Sequence, residues 1–159
     1  MGLSRERKSL LNRFMETSLH VDSFYAIIKI SVRGVNMYQI EFYEKRNGVS
    51  DVWDFLEDLR EKSGTSKDAR IQYEQIVFYL DLLARNGTKL PSKITKHLED
   101  DIWELRPGNN RIFYFYYAGG QYVLLHHFRK KSQKTPPREL ARAKEARNDY
   151  LRQQKERGK

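Results

Sequence analysis

The chain has 159 residues, 39% of them hydrophobic, with no cysteine and a formal net charge of +9. That length suits one domain, or one domain with an arm, around a single core, and the missing cysteines exclude disulfides, thiolate nucleophiles and cysteine-ligated zinc while fitting a reducing cytoplasm. Residues 1–36 carry a balance of +3, residues 37–127 of −2 and residues 128–159 of +8, so the positive excess sits at the C-terminal end and predicts a polyanionic partner.

In chain order, residues 1–19 permit a short amphipathic helix and residues 23–32 a strand. The apolar run Ser23 to Val32 is short and interrupted by Lys29, so no membrane span is expected, and no small-residue cleavage site follows it. Codons for Arg33-Gly34-Val35 can spell a purine-rich ribosome-binding sequence just ahead of Met37. Residues 1–36 are therefore expected to be a translated leader or an N-terminal arm, with the main domain over residues 37–159.

From Met37 the pattern becomes domain-like. Tyr38, Ile40 and Phe42 alternate with Gln39, Glu41 and Tyr43, which predicts a half-buried strand. Arg46-Asn47-Gly48-Val49 turns the chain, and Ser50 can cap a helix whose first turn holds Asp51 and Asp54. Val52, Phe55, Leu56 and Leu59 form its apolar face. A second helix is expected from Ser66 to about Arg85, with Tyr73, Ile76, Val77, Leu80, Leu83 and Ala84 as its stripe, broadened by Ile71, Phe78 and Leu82, and Asn86-Gly87 as its stop. The two helices read as a hairpin laid on a sheet.

Residues 87–101 read as a polar loop in which Lys96 is the one residue assigned to phosphate. Glu99, Asp100 and Asp101 are expected to form a hydrated turn rather than a metal site. Then come IWEL, RIFYFYY and QYVLLHHF, separated by Pro107-Gly108-Asn109-Asn110 and Ala118-Gly119-Gly120-Gln121. β-branched and aromatic runs between such turns predict a three-stranded antiparallel meander. After a basic exit, Thr135 can cap a helix with Pro136 at its first position and a narrow stripe of Leu140, Ala143, Arg147, Tyr150 and Leu151.

The order strand, helical hairpin, meander and basic exit, with Glu104-Leu105-Arg106, Arg111-Ile112-Phe113-Tyr114, Leu125-His126-His127-Phe128 and Lys130 to Pro136, resembles the RelE/ParE toxin superfamily. The closest resemblance is to its phage-related, HigB-like branch, over roughly residues 37–150. It implies an α+β fold, a small mostly antiparallel sheet (an N-terminal strand plus the meander) packed against a helical hairpin, with a basic C-terminal helix. It also implies a toxin that cleaves messenger RNA on the ribosome and is held inactive by a cognate antitoxin, often of helix-turn-helix type. In one respect the chain departs from some relatives: Ile102, Trp103 and Glu104 precede Leu105, where a pair of lysines would be needed for a mechanism with strand lysines as base.

Cleaving RNA through its own 2′-OH needs a proton acceptor, a proton donor for the leaving oxygen and cations for the charge gathering at phosphorus, with neither metal nor cofactor. Arg106 and Arg111 flank the first meander turn and are assigned to phosphate and transition-state stabilisation, since guanidinium groups bind phosphate through two parallel hydrogen bonds. The alternative for Arg106 is a same-face pair with Glu104, worth at most about 1 kcal/mol if exposed. Strict alternation along the last strand puts Leu124, His126 and Phe128 on one face and Leu125, His127, Arg129 and Lys131 on the other. On that parity His126 is a core histidine and His127, with an ordinary pKa of about 6.5, is the residue for proton transfer. Lys130 or Lys131 can serve as acid, or as base with a depressed pKa. Lys96, Arg129, Lys134 and Arg138 complete the expected substrate contacts. Two other readings stand beside the nuclease: a toxin of the same fold that poisons a protein target such as DNA gyrase, and a noncatalytic nucleic-acid module using Tyr114, Tyr116, Tyr117 and Tyr122 as stacking platforms.

Overall fold

A computed structural model describes residues 38–158, and the expectations for residues 1–36 lie outside them. It is an α+β fold. A five-stranded mixed sheet of order β1-β5-β4-β3-β2 is formed by β1 (Gln39–Phe42), β2 (Thr95–Glu99), β3 (Ile102–Leu105), β4 (Asn110–Tyr117) and β5 (Gln121–Arg129). β1 runs parallel to β5, and the remaining neighbours are antiparallel. The helices are α1 (Asp51–Lys62), α2 (Lys67–Asn86) and α3 (Pro137–Arg157).

Alternation along the strands divides the core between the two faces of the sheet. Ile112, Tyr114, Tyr122 and Leu124 join the cluster under the α1–α2 hairpin, while Phe113, Phe115, Val123 and Leu125 join the cluster under α3. In the hairpin layer Leu56, Ile76, Leu80, Leu83 and Ala84 are all but inaccessible, as their helical spacing requires. Ser66 caps α2 by accepting from the Ala69 amide at 3.2 Å, and Gly87 closes it with φ +61°. A side chain at residue 87 would also meet the Tyr122 hydroxyl at 2.8 Å.

Four local readings differ from the structure. The loop expected over residues 87–101 contains β2, an edge strand whose polar Thr-Lys-His-Leu-Glu sequence lacks the apolar signal of a buried strand; edge lysine is a common device against unwanted strand pairing. Ile71 and Phe78 do not broaden the α2 stripe, being 50% and 58% exposed. α3 begins one residue later than its sequence suggests, with Pro136 as the flanking residue and Pro137 inside the first turn, and the Thr135 hydroxyl donates to Glu104 instead of capping. Leu151 faces solvent, and the inward side of α3 is Glu139, Ala143, Ala146, Tyr150 and Gln153.

The fifth difference decides the site. In β5 the register steps from Phe113↔His126 to Tyr114↔Leu124, so Leu125 is an extra residue opposite no partner. Such a bulge reverses parity beyond it. Leu125 and His126 therefore both face α3, followed on that side by Phe128, whereas His127 and Arg129 share the hairpin side with Leu124.

Candidate functional site

A cleft of about 250 Å³ opens on the α3 side of the sheet, between β2, the end of β5 and residues 130–135. Its centre is Glu104, only 3% exposed, on β3. Lys96 stands directly opposite it on β2, Phe113 opposite it on β4, and Arg111 opposite Phe128. Period-2 alternation thus delivers Lys96, Glu104, Arg106, Arg111, Phe128 and Lys130 to one face.

Backbone contacts fix the cations. The Arg106 guanidinium donates through Nη1 to the Ser92 carbonyl at 2.9 Å, and Arg111 donates through Nη1 to the carbonyls of Gly108 and Asn110 at 2.7 and 2.8 Å. Gly108, at φ +60°, supplies the left-handed backbone that points its carbonyl inward. Lys130 is held by its amide, which donates to Asn109 at 2.7 Å. Glu104 Oε1 lies 3.4 Å from Arg106 Nε and 3.5 Å from Arg111 Nε, ionic contacts too long for good hydrogen bonds, and Arg106 Nε accordingly has no hydrogen-bond acceptor. Glu104 Oε2 accepts from Thr135 at 3.1 Å, which ties the 130–136 segment across the cleft. Burial lowers the pKa of Arg111 from its ordinary value, partly offset by Glu104. A guanidinium so placed still carries its charge at neutral pH.

Of the residues singled out from sequence, Lys96, Arg106, Arg111, Lys130 and Lys134 line this one cleft. Lys131 is exposed outside it, and Arg138 projects from the first turn of α3 with its side chain 81% exposed. His127 and Arg129 are not brought there: the His127 ring stacks on Phe55 of α1 at 4.0 Å, and Arg129 donates to Gln72 of α2 at 2.8 Å. The bulge at Leu125 is the reason. Glu104 appeared in the sequence within the Glu104-Leu105-Arg106 motif and as a salt-bridge partner of Arg106; the added signal was a lone carboxylate in an otherwise apolar strand, in parity with Arg106.

A second charged cluster lies at the join of β5, α1 and α3. Asp51 Oδ2 accepts from the His127 amide at 2.8 Å and from His127 Nδ1 at 2.6 Å, and lies 3.2 Å from His126 Nδ1. His126 Nε2 in turn meets Glu139 Oε2 at 2.5 Å. Expected as a core histidine with its polar groups satisfied, His126 has two carboxylates as its partners. Beside it runs a groove of about 740 Å³ between the β1–α1 loop and α3.

The three acids Glu99, Asp100 and Asp101 anchor α3: Lys144 reaches Glu99 and Asp100, and Arg147 reaches Asp101. Among the described residues no group of three or more His, Asp or Glu is arranged to hold a metal, and no helix is long and apolar enough to cross a membrane.

The model of the phage-derived Gp49-like protein family (DUF891) matches residues 54–148. The chain belongs to the Gp49-like family. This is a toxin-like family related to the RelE/ParE type. No curated protein matches the chain. In this Gp49-like protein the matched stretch begins inside α1 and ends inside α3, so it takes in the hairpin, the meander and every residue of the cleft, while β1 lies before it.

Proposed function

We propose that this Gp49-like protein is the toxin of a type II toxin–antitoxin pair, of the HigB-like branch, and that it cleaves messenger RNA on the ribosome without a metal. The observation that carries this reading is the cleft itself, in which five cations from four separate segments surround one buried carboxylate. Elsewhere many cations are spent on carboxylates of their own, as in Arg60–Glu57, Lys62–Asp58 and Arg85–Asp81. At the cleft the cations outnumber the acid and can accept a phosphodiester.

In this mechanism Arg106 and Arg111 hold the non-bridging oxygens, and a phosphate arriving between them draws their charge away from Glu104. Glu104 then takes the proton of the 2′-OH. The 2′-oxygen bonds to phosphorus, the bond to the 5′-oxygen breaks, and Lys130 or Lys134 protonates that leaving oxygen. The products are a 2′,3′-cyclic phosphate and a 5′-hydroxyl. His127 has no part in this step, since it faces the hairpin. The partners on this reading are messenger RNA, the ribosome and an antitoxin that covers the basic cleft, all in the cytoplasm.

Expression in bacteria, with transcript ends mapped, tests the proposal. Wild type should arrest growth and create new 5′-hydroxyl ends, and Glu104→Gln or Arg106→Ala should lower cleavage by about 10²–10³-fold, the loss expected when one preorganised group is removed. Cleavage by Glu104→Gln at the wild-type rate would overturn the mechanism. Arrest with DNA damage and no new RNA ends would instead favour a protein target such as gyrase, for which the cleft would be only a binding surface.

A further inference from the structure

His126 belongs to β5, but its two nearest charges come from other elements, Asp51 at the start of α1 and Glu139 in the first turn of α3. Its side chain is 12% exposed and that of Glu139 9%. An ionised carboxylate can only accept, so a ring that faces one at each nitrogen must donate from both, and only imidazolium does so. A neutral ring would set a lone pair against one of the two acids.

We propose that His126 is a charged pin, and that loss of its proton releases the first turn of α3 together with the 130–136 segment that forms one wall of the cleft, so that pH sets how open the cleft is. Two contacts and one short stretch of chain make the sequence of consequence short. His126 holds Glu139, Glu139 lies four residues beyond Thr135, and the Thr135 hydroxyl holds Glu104. The inference concerns access to the cleft and does not depend on what reaction occurs there.

The groups around the pin favour the charged ring. From α1 comes Asp51, shared with His127 of β5 at 2.6 Å; from α3 come Glu139, with Arg138 3.5 Å from its other oxygen, and, along the adjoining groove, Arg142 and Glu145. The β1–α1 loop turns Tyr43, Lys45 and Arg46 to that groove, and β4 contributes only the ring of Phe113, stacked at 6.2 Å. The two carboxylates in contact are nearer than any of these cations. Burial disfavours the imidazolium, but hydrogen bonds to Asp51 and Glu139 outweigh it and raise the His126 pKa above 6.5. Burial also raises Asp51, and hydrogen bonds from His126 and His127 reverse that and hold it below 3.8. The histidine contribution is therefore complete below the ordinary value of 6.5 and lost as pH rises through the raised folded value. The aspartate contribution is complete above 3.8 and lost as pH falls through the lowered folded value. The latch is tightest between the two.

The test uses the full chain with nitrogen-15-labelled histidine, following the ring nitrogens by NMR and amide exchange in α3 relative to α2, corrected for the intrinsic effect of pH. Both ring nitrogens of His126 should still be protonated at about pH 6.5, where an ordinary histidine is half neutral. Above the folded pKa, exchange in the first turns of α3 should rise by up to about tenfold per pH unit, the limit for one proton, while α2 stays protected. His126→Gln and Glu139→Gln should show the raised exchange already at about pH 6, where the wild-type ring is charged, and should lose the pH dependence. Persisting α2 protection shows that each variant has folded. A His126 ring that titrates at or below the ordinary value of about 6.5, or α3 exchange that ignores pH in the wild type, would overturn the proposal, and neither result depends on a variant.

Discussion

The hairpin meets its face of the sheet through Ile76, Leu80, Leu83 and Ala84, all but inaccessible, whereas α3 meets the opposite face through Ala143, Ala146 and Tyr150 and a belt of polar contacts. In that belt Tyr150 donates to Glu41 and Tyr43 to Asp149, each at 2.7 Å, Gln153 reaches the Glu44 carbonyl at 3.1 Å, and Arg147 meets Asp101 at 2.5 Å. Charge screening by salt and the protonation of side chains leave apolar burial untouched but weaken hydrogen-bonded ion pairs. The hairpin side therefore behaves as permanent scaffold. The α3 side, which carries the cleft, is the side that solution conditions can loosen.

The largest way to break this contrast is in the scaffold. Leu80→Ala should destabilise the whole domain by about 2–5 kcal/mol in urea unfolding, with loss of both faces together, because a cavity in a close-packed layer is only partly refilled. A smaller change belongs to α3: Tyr150→Phe removes one hydrogen bond and should reduce stability by about 1 kcal/mol, with faster amide exchange confined to α3. Smallest is Arg147→Ala, whose partner Asp101 is 46% exposed; its effect should stay within about 1 kcal/mol and shrink further in high salt. Equal salt sensitivity of exchange in α2 and α3 would contradict the division of forces proposed for the two faces.

Much of this architecture was legible because period and turn chemistry act locally. The α2 stripe, the Gly87 stop, the three strands of the meander and their glycine turns follow from spacing alone. β2 was not legible, since an edge strand owes its place to Thr95, whose hydroxyl donates to the Glu104 carbonyl and contacts the Tyr114 hydroxyl at 2.5 Å. The cleft was legible in its cations, for Lys96, Arg106, Arg111, Lys130 and Lys134 meet there. His127 was misjudged because a parity argument assumes an unbroken ladder, and one unpaired residue at Leu125 moved it to the other face.

By itself, the sequence determined the elements other than β2, their order, the basic character of residues 128–159 and the resemblance that the family match supports in its broader form. Those features depend on interactions among residues close in the chain, and on composition. Only the tertiary structure decided which charges oppose one another: that Glu104 lies between Arg106 and Arg111, that the bulge turns His126 towards Glu139, and that His127 stays with the hairpin. Charges from segments far apart in the chain acquire their partners through register and helix docking, and neither is written in local periodicity.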